Sequence, residues 1–151
     1  MIEVVPATLA HAEALAPRMG AADAAEIWAA TFSYPIDSLT LGVEVSRDPK
    51  AALVDGEVLC MFGCAPQSPL GRTATPWLLG SVDLPKHARG FLRGSRLYFS
   101  RWRQEYEILA NYVDARHSHA IRWLAWLGFS IEPARPYGVA RLPFHRFSVI
   151  R

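Results

Sequence analysis

Cysteine is scarce in this chain of 151 residues: only Cys60 and Cys64 occur. On a strand that spacing puts both on one face about 13 Å apart, too far for a disulfide, so they read as buried thiols of a reducing compartment. Long apolar runs are missing too. A bilayer needs about 20 residues, whereas the segment from Ala120 to Phe129 is short and contains Arg122. The start, MIEVVPATLAHAEALAPRMG, has no basic stretch leading into an apolar core and does not read as a secretory signal. Nor is there an excess of one charge: 16 Lys and Arg face 14 Asp and Glu, a net +2, so no global field argues for nucleic acid or membrane. Repeats and linkers are absent, and Pro and Gly are dispersed. One soluble cytoplasmic domain over residues 1–151 is expected.

Half of the residues are hydrophobic, and they fall into periodic segments. Ile2–Val5 reads as a strand ended by Pro6, and Thr8 as the cap of a helix stopped at Gly20. Helices are predicted over Asp23–Thr31 and, capped by Asp37, over Ser38–Arg47. AALVDGEVLCMFGCAP is two apolar runs joined by Asp55-Gly56, a hairpin signal. SPLGRTATP reads as a loop and Trp77–Val82 as a third strand. KHARGFLRGSRLYFSRWRQEYE carries Leu92, Ser95, Phe99, Trp102 and Tyr106 at helical spacing. ILANYV is a further strand, a helix follows it, and runs near Phe129–Ile131 and Phe144–Ile150 end the chain. The order describes a mixed α/β layout with one sheet.

The segment HSHAIRWLAWLGF is the most distinctive. Ser118 offers an N-cap, Ile121, Leu124, Ala125 and Gly128 share a face, and Gly128 is the expected left-handed stop. Trp123, Trp126 and Leu127 lie off that stripe, so a second side must be covered by a neighbouring helix, a dimer partner or a ligand. His117 and His119 make a poor metal pair: they are one residue apart at a helix start, with no third ligand at zinc spacing.

NYVDARHSHAIRWLAWLGF resembles the second half of the GNAT acetyltransferase core, in which a strand leads into a helix of pattern N-x-x-A-I-x-x-Y-x-x-x-G-F. His117 stands at the Asn position, Leu124 at the Tyr position, and Ala120, Ile121, Gly128 and Phe129 match. With RMGAADAAEIWAA, FGCAPQSPL and PWLLGSVDL, it also resembles a small branch encoded by short-tailed phages and their prophages. The resemblance implies a GNAT-like fold: a single mixed, mostly antiparallel sheet of about seven strands with helices on both faces. It further implies acetyl-CoA or CoA as cofactor and a small-molecule or protein amine as acceptor, in the host cytoplasm or associated with a virion.

Carried over residue by residue, it places Leu79, Gly80, Ser81 and Val82 along the pantetheine. Arg89, Leu92, Arg93, Gly94 and Ser95 fall in the pyrophosphate loop, where a helix N-terminus favours an anion, and His117 on the cofactor side. The loop pattern Q/R-x-x-G-x-G/A is met by Arg89 and Gly94, but Leu92 takes the middle glycine's place; a solvated basic helix face is the alternative account. Candidate bases are Glu26 with Asp23, one helical turn apart, and Asp83; each also reads as a cap or a solvated acid. Leu124 replaces the tyrosine that protonates the leaving thiolate, so either Tyr112, His117, Ser81 or water takes that role or the thiolate leaves unassisted. A non-catalytic GNAT-fold phage accessory or virion-associated protein that binds CoA or a protein, its tryptophan-rich helix covered by a partner in a homodimer or by a phage protein, is the competing reading. Weaker still is nucleic-acid contact through Phe91, Tyr98 and Trp102.

Overall fold

The computed structural model describes all residues, Met1–Arg151. The elements are β1 (Ile2–Pro6), α1 (Leu9–Leu15), α2 (Ala21–Thr31), α3 (Pro35–Val45), β2 (Lys50–Val54), β3 (Glu57–Pro66), β4 (Thr73–Gly80), α4 (Ala88–Glu105), β5 (Ile108–Asp114), α5 (Ser118–Leu127), β6 (Ser130–Ile131), β7 (Arg135–Tyr137) and β8 (Leu142–Ile150). Short 3-10 turns follow α1, at Ala16–Arg18, and precede α4, at Leu84–His87.

Local chemistry accounts for most boundaries. Thr8 caps α1, its hydroxyl accepting the His11 N–H. The β2–β3 turn is Asp55-Gly56 with positive φ at both residues, 51° and 81°, the geometry of a tight hairpin. Gly128 ends α5 in the left-handed region. The cap of α5 is His117 rather than Ser118, which is the first helical residue. SPLGRTATP is only partly loop, because β4 already begins at Thr73.

Eight strands form one mixed sheet, ordered β1-β2-β3-β4-β5-β8-β6, with β7 paired to β8. Every pair is antiparallel except β4 with β5. β3 is buried from Val58 to Cys64, the near-continuous apolar run of a strand covered on both faces. On one face α1, α2 and α3 place Ala12, Leu15, Ile27 and Leu39 over Met61 and Leu79. On the other, α4 and α5 bring Phe91, Phe99 and Leu124 over Cys60, Phe62, Cys64 and Leu109. Trp123 packs there too, 6.4 Å from Phe91, so α4 covers the second side of α5. Both cysteines are buried and free. β7, only Arg-Pro-Tyr, was not expected from the sequence; it is too short and proline-interrupted to show periodicity.

Candidate active site

The single parallel neighbour pair is also incomplete. β4 and β5 pair only at their starts, Thr73 with Ile108 and Ala74 with Leu109. Pro76, two residues on and the next of β4 to turn its peptide towards β5, has no N–H to offer the ladder. Asn111 fills the missing rung: its Nδ2 donates to the Pro76 carbonyl at 2.8 Å and its Oδ1 accepts the Tyr112 N–H at 2.8 Å. Beyond that amide no pairing joins the two strands, and a gap remains between their C-terminal ends. Backbone groups alternate along a strand, so Pro76, Leu78 and Gly80 turn their peptides towards this gap.

Helix α2 closes the far end. Asp23 Oδ2 accepts the Gly80 N–H at 2.8 Å, and Glu26 Oε1 accepts the Asp114 N–H at 2.6 Å, so each acid takes the end of one strand. The other oxygen of Asp23 accepts from His117 Nε2 at 2.7 Å. Three residues apart, the two acids share a side of the helix. The opposite end of α2 is anchored as well, because Val139 and Ala140 donate their N–H groups to Ala30 and Ala29 at 3.0 and 3.1 Å. Gly138, at φ 74°, lets that turn approach: a Cβ there would lie 2.6 Å from the Ala30 Cα.

The cluster is electrostatically tense. Burial pushes the Glu26 carboxyl up to about 7, against the downward pull of the Asp114 N–H and of His117; Asp23 and Asp114 add to the rise. His117 is raised in turn, chiefly by its hydrogen bond to Asp23, with burial opposing. Burial would lift buried Asp114 too, but the Arg116 guanidinium, at 2.7 to 3.2 Å, holds it below the usual carboxylate range. A carboxyl that titrates near neutrality beside an imidazole is a pair suited to moving a proton.

The structure therefore brings Glu26, Asp23 and His117 together, and it separates other expected residues from them. His117 turns its ring to Asp23 rather than standing open on the cofactor side. Asp83 is ion-paired with Arg18 and Lys86; the Lys86 hydrogen bond and charge, then Arg18, lower its pKa, which disqualifies it as a base near neutrality. It lines a different groove with Arg18, Glu57 and His87. Tyr112 is 38% exposed and stacks on Tyr137, ring centroids 3.9 Å apart. Leu124 is buried among Phe99, Leu109, Val113 and Phe129.

Two sets of cofactor residues need correction. Along β4, the amides of Gly80, Ser81 and Val82 are taken by Asp23, Leu59 and Arg18, and Leu79 faces Met61 of β3. Leu78 is the residue whose peptide faces the gap beyond the ladder, and Pro76 two positions earlier was the signal for it. The second set is the expected pyrophosphate loop, which is helix from Ala88 onwards. Amides at Leu92, Arg93, Gly94 and Ser95 lie past the first turn and belong to helical hydrogen bonds. Ser95 is buried, its hydroxyl donating to the Leu92 carbonyl and accepting from Trp123. Only first-turn amides, with the exposed Arg89 and Arg93 side chains, are placed for an anion. No group of three or more His, Cys, Asp or Glu side chains is arranged to hold a metal ion.

No protein-family model matches the chain, and no curated protein matches it. Solved structures do. A ribosomal-protein-alanine N-acetyltransferase from Brucella melitensis is similar at TM-score 0.73 with 16% identity, covering 99% of each chain. Ard1 from Thermoplasma volcanium reaches TM-score 0.74 at 16% identity, over 99% of this chain and 97% of that one. A Salmonella typhimurium structure described as an acetyltransferase with its cofactor acetyl-CoA gives 0.70 at 14% identity, over 99% and 94%. The chain has the GNAT acetyltransferase fold along its whole length. No helix in it is long and apolar enough to cross a membrane.

Proposed function

We propose that the chain is a CoA-dependent N-acetyltransferase. The observation that carries this reading is the strand gap with a half-buried carboxyl, Glu26, titrating near neutrality at its rim. Acetyl-CoA supplies an activated acetyl group: the acceptor nitrogen forms a C–N bond, the C–S bond breaks, and the thiolate leaves. Leu78 offers the backbone donor that polarises a carbonyl in the gap. The first turn of α4, with Arg89 and Arg93, holds the pyrophosphate. Glu26 takes the proton of the attacking amine, and the His117–Asp23 pair stabilises the carboxylate that does so. Leu124 has no proton to give, so Tyr112 on β5 or solvent supplies one to the thiolate. The acceptor is a small-molecule or protein amine. A phage or prophage source, and with it a virion-associated role, rests on the sequence resemblance alone.

A thermal melt in excess acetyl-CoA tests the cofactor: ligand at about 100 times its dissociation constant adds roughly 2.7 kcal/mol. No shift overturns the reading. Single-turnover thiol release across an amine panel then tests transfer, with a rise through pH about 7 that is lost in Glu26→Gln. A second reading, a GNAT-fold protein that binds without catalysing, is favoured by the buried Leu124 and by the strand-capping bonds of Asp23 and Glu26. It predicts a melting shift and no thiol release with any amine.

A further inference from the structure

Fourteen of the sixteen basic residues are arginine, and they are unevenly placed. Helix α4 carries Arg89, Arg93, Arg96, Arg101 and Arg103 and a single acid, Glu105, which is paired with Arg47. Helix α5 has no acid and contributes Arg122, one turn before Trp126. Arg89, Arg93, Arg96, Arg101 and Arg122 are exposed, Arg103 is half-buried, and none of the six lies within ion-pair distance of a carboxylate. The near-neutral total thus hides a segregated charge. At the C-terminal half of α4 a groove of about 490 Å³ is lined by Arg96, Phe99, Ser100, Arg103, Leu127 and Arg151. Beside it Trp126 is 47% exposed, with the Arg96 guanidinium 4.5 Å above its ring.

We infer that this α4–α5 face binds single-stranded nucleic acid. Arginine forks take phosphate oxygens two at a time and stack on planar rings, which lysine does not do. An exposed indole bearing a guanidinium is a stacking tile for an unpaired base, and duplex bases are not available to it. An acidic peptide offers carboxylates to the same arginines but no ring to the tile. Arg89 and Arg93 are shared with the proposed cofactor site. The inference rests on Arg96, Arg103, Arg122 and Trp126, and Arg103 stands about 21 Å along the helix from Arg89 at 1.5 Å per residue.

The test is fluorescence anisotropy of a labelled oligouridylate of about 20 nucleotides over a KCl series starting near 50 mM. With these three arginines on phosphates, the log–log salt slope is about −2, and each of Arg96→Gln, Arg103→Gln and Arg122→Gln reduces its size by about 0.7. Trp126→Ala weakens binding by roughly 5- to 100-fold, the loss expected for one stacked base. An unchanged melting temperature and acetyl-CoA shift in these variants show that fold and cofactor site are intact. No binding at the lowest salt, slopes unmoved by the arginine variants, affinity unmoved by Trp126→Ala, or equal competition by poly-glutamate overturns the proposal, the last in favour of an acidic protein partner.

Discussion

Glu26 is the residue on which most turns. Its folded-state pKa, about 7, lies above its ordinary value of 4.5, so its contribution to stability is full below the ordinary value and is lost as pH rises through about 7. His117 is raised as well and acts in the same direction. The melting temperature therefore declines from mildly acidic to mildly alkaline pH. Glu26→Gln, which keeps an acceptor for the Asp114 N–H, flattens that decline; thermal melts at a series of pH values check it, and an unchanged slope refutes the assignment. Leu124 makes the opposite point. It occupies the position where the resemblance calls for a tyrosine, but its neighbours are Phe99, Leu109, Val113 and Phe129. Leu124→Tyr puts a hydroxyl among apolar groups and overfills the site, so it costs about 1–3 kcal/mol in denaturant unfolding.

Among the elements, β4 and β5 separate because Pro76 removes one donor and Asn111 spends its amide on the rung. Asn111→Ala strands the Pro76 carbonyl and the Tyr112 N–H, an expected loss of about 1–3 kcal/mol visible as a lower urea midpoint. Every strand but β7, the Asp55-Gly56 hairpin and the order of helices were legible in the sequence, because periodicity and turn residues are local signals. The gap was not. A proline in a run such as TATPWLLG marks an interrupted edge, but which side chain fills the interruption depends on a residue 35 positions away. Similarly, Asp23 and Glu26 were legible as a pair of acids on one side of a helix. Their partners Gly80, Asp114 and His117 lie 57, 88 and 94 residues along the chain. The expected loop before α4 failed for a different reason: Ala88 to Ser95 propagates as helix, and the connection after β4 is absorbed by the 3-10 turn, with Leu84 folded over Gly80 so closely that a Cβ there would meet it at 2.5 Å.

For the molecule as a whole, the sheet has apolar clusters on both faces and β3 contributes to each, with Met61 on one side and Cys60 and Phe62 on the other. Neither cluster can come apart without exposing the strand that supports the other. Unfolding is accordingly one cooperative event, and far-ultraviolet circular dichroism and tryptophan fluorescence give superimposable denaturation curves. Two separated transitions would mean that the α1–α3 and α4–α5 layers are independent.

Helix α2 is pinned at Ala29 and Ala30 by the β7–β8 turn and at Asp23 and Glu26 by the strand ends. Its acids are separated by a fixed helical rise of about 4.5 Å. The helix thus serves as a gauge block: the separation of β4 from β5 is set by the pitch of a rigid part lying across them, not by whatever occupies the space between. A guest of the right thickness finds the opening already cut to size, while lengthening the gauge by moving one acid along the helix would alter the opening without touching its walls.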